Sequence, residues 1–268
     1  YVSDARGDNI CINSKLIVLC EEYSECSIIE SCTSKSEKNL WTNYVTDINI
    51  KKNAILNHYK NQNDNLQTFH TSDCNVNIKE YGLYNHYLLN SGGFQSRNKI
   101  TCLLEENLSS CNLSGSYFLS ERQNTDILVD VKHLASDCYS NQKFYGIADK
   151  FSKGVFQGKI EVNQNTSNNN ADQISRGIIL SDNAQINAKP ELSINAEDVK
   201  CSHGVSIGEL DEDSIFYMRS RGISEKEAKE MLIYGFVIDT LSGINEESLY
   251  NNFDCLIKNI ISNKFTFG

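Results

Sequence analysis

The chain has 268 residues, of which 40% are hydrophobic, so it can form one large domain or two small ones around a sizeable core. Its formal net charge of -10 at pH 7 argues against binding along a nucleic-acid backbone, which requires a basic stripe. No apolar run approaches the roughly 18 residues of a membrane-spanning helix, and no signal peptide is visible. The sequence does not begin with Met, which predicts a fragment or a processed form.

The ten cysteines form no C-x-x-C pair, and Cys20, Cys26 and Cys32 follow one another at intervals of six residues. Zinc ribbons and thioredoxin-like sites use two-residue spacers, and disulfide scaffolds occur mainly in short secreted chains. We therefore expect most of the cysteines to be reduced thiols that pack as small apolar side chains.

Short apolar runs separated by Asn, Ser, Asp and Gly predict β-strands from Tyr1 to about Gly208. The clearest runs are SKLIVLCEEY, KITCLLEE, DILVDVKHL, GVFQGKIEV, SRGIILSD and PELSINAEDVKC. Asparagine tolerates the left-handed turns that join short strands, and Pro190 is the single proline. These features favour regularly coiled strands, although no clean repeat is visible. The Asn-rich segments NHYKNQNDN and VNQNTSNNNADQ are predicted to be polar loops without a function.

Helical signals replace strand signals from about residue 209 onward. Gly222 is placed to stop a first helix, and Ser224 opens a capping box in SEKE that starts a second. A third helix is predicted to start near Asn245, with apolar side chains on one face. The sequence therefore predicts a β domain over residues 1–208 and a helical region over residues 209–268.

The stretch DVKCSHGVSIG raises the question of a site at Cys201 and His203. Alternate residues of an extended strand share a face, which places these two beside each other on the more apolar, buried or semi-buried side. A buried, hydrogen-bonded core histidine is one interpretation. A pair of soft metal ligands is another, although two are too few for a closed tetrahedral site. A catalytic Cys–His pair is a third, for which no supporting motif is present.

The run INAEDVKCSHGVSIGELDEDSIFYMRSRGISEKEAKEMLIYGF resembles the signature region of the SufB/SufD family of the SUF iron–sulfur cluster assembly system. GVFQGKIEVNQ, GIILSDNAQINAKPELSI and NHYKNQN are similar to the family as well. The SufB branch would carry an EHEA-like stretch in place of CSHG, so the resemblance favours the SufD branch. HGVSIG replaces the family's HGATVG and leaves His203 and Gly204 in place. The helical segment that precedes the family's β domain is absent, which predicts a truncated chain.

The resemblance implies a right-handed parallel β-helix over about residues 10–208, followed by a small helical region. It also implies a non-enzymatic scaffold subunit of the SufBCD complex, paired with SufB near the C-terminal ends of both β-helices. His203 would then face a SufB cysteine and help to bind transient iron or a nascent Fe–S cluster, with Cys201 as a weaker ligand. We expect no cofactor to be bound stably by this chain alone.

The resemblance further places the docking surface for the ATPase SufC on the C-terminal helical region, residues 209–268. Its candidate residues are Ile215, Phe216, Tyr217, Met218, Arg219 and Arg221. The alternative for the two aromatic residues is packing onto the β domain. Gly204, Gly222 and Ser224 are expected to shape turns.

The implied location is the cytoplasm or a plastid stroma, without nucleic-acid or membrane partners, and with homodimerisation possible for the isolated chain. One rival interpretation is a SufB-like paralogue. The other is a β-helix protein that acts on carbohydrate, which would need clustered carboxylates and exposed aromatic side chains. Asp126, Asp130 and Asp137 are too scattered in the sequence to indicate such a cluster.

Overall fold

The structure, a computed structural model, describes residues 2–3, 9–34 and 39–265. These residues form mainly β-strands, followed by a short helical region. The strands are β1 (Val2–Ser3), β2 (Ile10–Cys20), β3 (Glu25–Ser34), β4 (Leu40–Ile50), β5 (Ile55–Gln62), β6 (Thr68–Ile78), β7 (Leu83–Asn90), β8 (Gln95–Leu104), β9 (Ser110–Leu119), β10 (Asn124–His133), β11 (Tyr139–Ala148), β12 (Lys153–Val162), β13 (Asn169–Ile179), β14 (Gln185–Ile194) and β15 (Val199–Gly208).

The described strands build two parallel sheets, one from the odd-numbered and one from the even-numbered strands. Each strand pairs with the strand two places along the chain, so that Ile10 lies opposite Leu40, and Leu40 lies opposite Thr68. One even and one odd strand therefore make one coil of a solenoid, and each coil stacks on the previous one. The predicted parallel β-helix with a C-terminal helical region is confirmed.

The corners of the coils carry residues with left-handed backbone conformations. Those between an even strand and the following odd strand stack as a column, which comprises Tyr23, Asn53, Tyr81, Leu108, Asp137 and Asn168. The backbone N–H of each donates to a carbonyl oxygen of the next coil, as from Tyr23 to Lys52 at 3.1 Å. Only two of these six residues are asparagine. The hydrogen bonds between coils thus hold Tyr and Leu in a conformation that is unfavourable for them.

The interior of the solenoid holds a continuous apolar core, with Ile50, Leu56, Tyr84, Phe144 and Phe156 among its fully buried side chains. All ten cysteines are free thiols, and six of them are buried, as expected for reduced, packing side chains. Burial raises the pKa of the Cys74 thiol to about 12 and that of the Cys32 thiol to about 11.

Asparagine occurs in strands as well as in turns. The prediction that the two Asn-rich segments are loops is therefore wrong where they overlap β5 and β13. NHYKNQNDN contains most of β5, and β13 already begins at Asn169. On the outer face of the odd sheet, the Asn85 amide donates to Asn57 and the Asn112 amide donates to Asn85, both at 2.9 Å. Such amide ladders stabilise the stacking of coils when the same side chain recurs at the same position of successive coils.

The helical region comprises α1 (Glu212–Ser220), α2 (Glu225–Val237), a 3-10 helix (Ile238–Gly243) and α3 (Glu247–Lys264). Its apolar side chains pack against the outer face of the odd sheet, where Phe253 contacts the rings of Tyr59 and Tyr87. The change from strands to helices thus lies between β15 and α1. The outer limits of the predicted ranges, Tyr1 and Gly268, lie outside the described residues. None of the described helices is long and apolar enough to cross a membrane.

Candidate functional site

The C-terminal end of the solenoid is formed by β14 and β15, the last strands of their sheets. Among the described strands, β14 pairs only with β12 and β15 only with β13. The outer edge of each strand therefore presents backbone N–H and C=O groups that can pair with another chain. Val205 and Ile207 on β15 are 43% and 38% exposed, which adds apolar surface to this open end.

Cys201 and His203 both lie on β15, with the register that the sequence alternation predicts. They sit opposite Ala171 and Gln173 of β13, whose side chains are buried inside the solenoid. The two candidate ligands therefore face the interior side of the last coil.

Of the two residues predicted on a buried or semi-buried face, only Cys201 is partly buried, because no described coil stacks above β15. His203 is exposed, and Cys201 is half-buried against the apolar cluster around Ala171. The interpretation of His203 as a hydrogen-bonded core histidine is therefore excluded. Burial and the nearby Asp172 carboxylate raise the pKa of the Cys201 thiol, so it is protonated at neutral pH.

A pair of buried amides lies directly beneath His203. Gln173 donates through Nε2 to Oε1 of Gln142 at 2.6 Å, and both side chains are fully buried. Gly158 makes room for the pair, because a Cβ there would lie 1.7 Å from the Gln173 Nε2 atom. Gln173 Oε1 has no hydrogen-bond partner among the described residues. The site thus consists of two potential ligands above a layer of two hydrogen-bonded amides, which occupy the space left by Gly158.

The ligand set on this chain is incomplete. No group of three or more His, Cys, Asp or Glu side chains within residues 2–3, 9–34 and 39–265 could hold a metal ion. Two ligands leave a tetrahedral site half empty. Among the described residues, the side chains around His203 therefore do not complete a site for a metal ion or cluster.

A second exposed surface lies on α1 and the turn into α2. Phe216 and Tyr217 are 74% and 59% exposed, which excludes the alternative that they pack onto the β domain. The Arg219 guanidinium lies 3.2 Å from the Glu225 carboxylate, and that of Arg221 stacks 5.3 Å above the Tyr217 ring. These contacts hold both arginines in place at the surface while leaving them exposed.

Three further candidate residues, two on α1 and one on β15, differ from expectation. Ile215 is only 3% exposed, so it anchors α1 by packing and does not belong to the exposed surface, whereas Met218 is half-buried. Gly204 does not form a turn, because it lies within β15 opposite Ile174.

The turn between α1 and α2 is tightly specified by the sequence. Gly222 has a φ of 89°, and its N–H donates to the Arg219 carbonyl while that of Ile223 donates to Met218, which makes a Schellman motif. Ser224 and Glu227 form a reciprocal capping box at the start of α2. The relative direction of the two helices is therefore fixed locally.

The sequence did not reveal a network of charged side chains inside the early coils. The Glu30 carboxylate lies 2.7 Å from His58 Nε2, and Asp64 lies 3.1 Å from His70 Nδ1, with all four side chains buried. Burial would raise the pKa of both carboxyl groups, but the hydrogen bonds from His58 and His70 and the Lys60 charge lower it. Burial lowers the pKa of His70, so its bond to Asp64 is made by a neutral imidazole.

The carboxylates named by the carbohydrate interpretation do not converge. Asp126 and Asp130 lie four residues apart on β10, which separates them by about 13 Å along the strand. Asp137 lies at a corner with a left-handed backbone. Paired glycosidase carboxylates lie within about 10 Å of each other, so these residues do not form such a pair.

Comparison with known proteins supplies a family profile described as "SUF system FeS cluster assembly, SufBD core domain", which matches residues 2–236. An iron–sulfur cluster assembly SufBD family protein of Synechocystis is 32% identical over 248 residues, covering 90% of this chain and 55% of that protein. The iron–sulfur cluster assembly protein SufD of Escherichia coli is 29% identical, with 85% and 54% covered. The chloroplastic protein ABCI7 of Arabidopsis thaliana is 30% identical, with 84% and 48% covered. The chain spans about half the length of these relatives.

Proposed function

The chain belongs to the SufB/SufD family of the SUF iron–sulfur cluster assembly system, and we propose that it works there as a scaffold subunit without catalytic chemistry of its own. The observation that carries the proposal is the open end of the solenoid, where two soft ligands are presented on β15, an edge strand that pairs only with β13 among the described strands. A scaffold needs such a surface, whereas an enzyme needs a closed set of reacting groups.

The partner at this open end is a SufB-type subunit that adds its own strands to the edges of β14 and β15. Edge strands with exposed apolar side chains favour this mode of pairing, because it satisfies the backbone groups and buries the apolar surface together. In the isolated chain, the same edges could pair two copies as a homodimer.

His203 acts as half of a site for iron or a nascent cluster, which is the cargo of the assembly and not a resident cofactor. A cysteine thiolate from the partner completes the ligand set, and Cys201 is the weaker ligand because its thiol is protonated at neutral pH. Docking of the partner over the last coil would also exclude water from the site.

The test is co-expression with SufB and SufC, followed by purification and iron analysis. His203→Ala should leave the complex intact and lower its iron and labile sulfide content at least several-fold. The matched control is Lys200→Ala, an exposed side chain on the same strand that lies opposite Asn170. A complex of His203→Ala with unchanged iron content would show that His203 is not a ligand.

The SufC-type ATPase docks on the surface formed by Phe216, Tyr217, Arg219 and Arg221. Exposed aromatic and arginine side chains are enriched in protein interfaces, and here they form one ridge beside a fixed turn. A pull-down of the ATPase with the double variant Arg219→Glu and Arg221→Glu should lose the partner. The double variant Lys226→Glu and Lys258→Glu, at exposed lysines of α2 and α3, is the charge-matched control. Retention of the ATPase by the Arg219→Glu and Arg221→Glu variant would contradict this assignment.

The bacterial and chloroplastic relatives support a location in the cytoplasm or in a plastid stroma. Neither location calls for a nucleic-acid or membrane partner, and the acidic composition fits neither.

A further inference from the structure

Two cysteines meet at the corner between the first two long strands. Cys20 is the last residue of β2 and Cys26 is the second residue of β3. Between them the chain makes a tight turn, in which Tyr23 has a φ of 60° and the Ser24 N–H donates to the Glu21 carbonyl. The turn therefore brings the ends of the two strands together.

The register shows that both side chains point into the solenoid. Cys20 stacks on Ile50 and Cys26 stacks on Leu56, and both of these residues are fully buried in the same apolar core. The two thiols thus occupy the inner side of one corner. The pKa of the Cys20 thiol reflects this proximity. Burial raises it most and the neighbouring Cys26 raises it further, to about 11.

The two thiols differ in access. Cys26 is exposed, whereas Cys20 is buried beside it. An accessible thiol next to a protected second thiol is the arrangement of cysteines that oxidise reversibly, because the first reacts with the oxidant and the second resolves the product.

We propose that Cys20 and Cys26 form a reversible disulfide by exchange with a small disulfide such as oxidised glutathione. The Cys26 thiolate attacks one glutathione sulfur, which forms a mixed disulfide and releases one glutathione thiolate. The Cys20 thiolate then attacks Cys26 Sγ, which closes the protein disulfide and releases the second glutathione. Two protons leave the protein thiols, and the glutathione disulfide is the species reduced.

The other accessible cysteines serve as internal controls. Cys11 and Cys255 are exposed, but the hydrogen bonds described for their Sγ atoms come from asparagine side-chain amides, at 3.6 Å in both cases. Cys32 also lies on β3, but six residues beyond Cys26, about 20 Å along the strand. Cys11 and Cys255 should therefore give at most a single-thiol adduct, and the buried Cys32 should give none.

The test uses the wild-type chain incubated with oxidised glutathione, then alkylated under denaturing conditions and digested with trypsin and Glu-C. The digest releases Cys20 in Leu16–Glu21 and Cys26 in Cys26–Glu30, so a disulfide between them is seen as a linked pair of peptides. We expect this linked pair in the wild type and its loss on reduction.

Cys20→Ser should instead accumulate glutathione on Cys26, and Cys11→Ser should still form the linked pair. Glutathione that stays on Cys26 of the wild type, or a link from Cys26 to Cys32 or Cys11, would overturn the proposal. Since the readout uses this chain alone, it is independent of any role in cluster assembly.

Discussion

The protonation of His133 offers a quantitative test of how the coils are packed. This imidazole is fully buried at the end of β10, with Nε2 2.8 Å from Ser140 Oγ and Nδ1 3.4 Å from Asn169 Oδ1. Burial lowers the pKa of His133 from 6.5 to about 4, although the hydrogen bond with Asn169 acts in the opposite direction. The folded chain therefore keeps His133 neutral at pH values where the unfolded chain protonates it.

The sign of the effect follows from this difference. Because the unfolded chain binds the proton first, the free energy of unfolding falls as the pH drops below about 6.5, and the loss is complete below about pH 4. The full pKa difference corresponds to about 3 kcal/mol, and the part between pH 7.5 and pH 5.5 corresponds to about 1.3 kcal/mol. A lower limit of pH 5.5 stays above the isoelectric point near 5.0, where the chain would lose its net charge.

The assay is urea unfolding of the wild type and of His133→Gln at pH 7.5 and pH 5.5, followed by circular dichroism. Between the two pH values the wild type should lose about 1.3 kcal/mol more stability than the variant. His70 and His86, whose pKa values burial also lowers, contribute to both proteins and cancel in the difference. Equal losses in the two proteins would refute the argument from burial.

Two further predictions use the same unfolding assay. Gly146→Ala should cost about 3 kcal/mol, because a Cβ there would lie 1.9 Å from the fully buried Tyr117 ring. Gly204→Ala, with open space around it, should change stability by less than about 0.5 kcal/mol, and similar costs for both glycines would contradict the first value. Ile215→Ala should cost about 2 to 4 kcal/mol, whereas Phe216→Ala should have almost no effect. A comparable cost for Phe216→Ala would contradict the exposed position of its ring.

Features that depend only on residues close together in the sequence could be predicted from the sequence. The alternation of Cys201 and His203 on one face follows from strand geometry alone, and the register agrees with it. The capping box at Ser224 and the left-handed Gly222 follow from the backbone requirements of helix ends. Of the six candidate residues on α1 and its C-terminal turn, four are exposed, whereas Ile215 faces inward and Met218 is half-buried, and their role in docking stays a prediction.

Features that depend on stacking between coils could not be predicted in this way. The prediction of a loop over most of β5 is wrong because the inward-facing residues His58, Lys60 and Gln62 are polar, so the strand shows no apolar alternation. Their partners, among them Glu30 and Asn98, lie tens of residues away in the sequence. Tyr81 adopts a left-handed conformation for the same reason, since its hydrogen bond to the next coil fixes its backbone.

Stacking between coils also decides which histidines of the odd sheet are accessible to a partner. One interior column of the odd sheet runs from His58 and His86 through Leu113, Gln142 and Gln173 to His203. The two early histidines are covered by the next coil, and burial lowers the pKa of His86 far below its ordinary value. His203 occupies the same column on the last described coil, where nothing covers it. It is therefore the only histidine of this column, among the described residues, that a partner's ligand can reach.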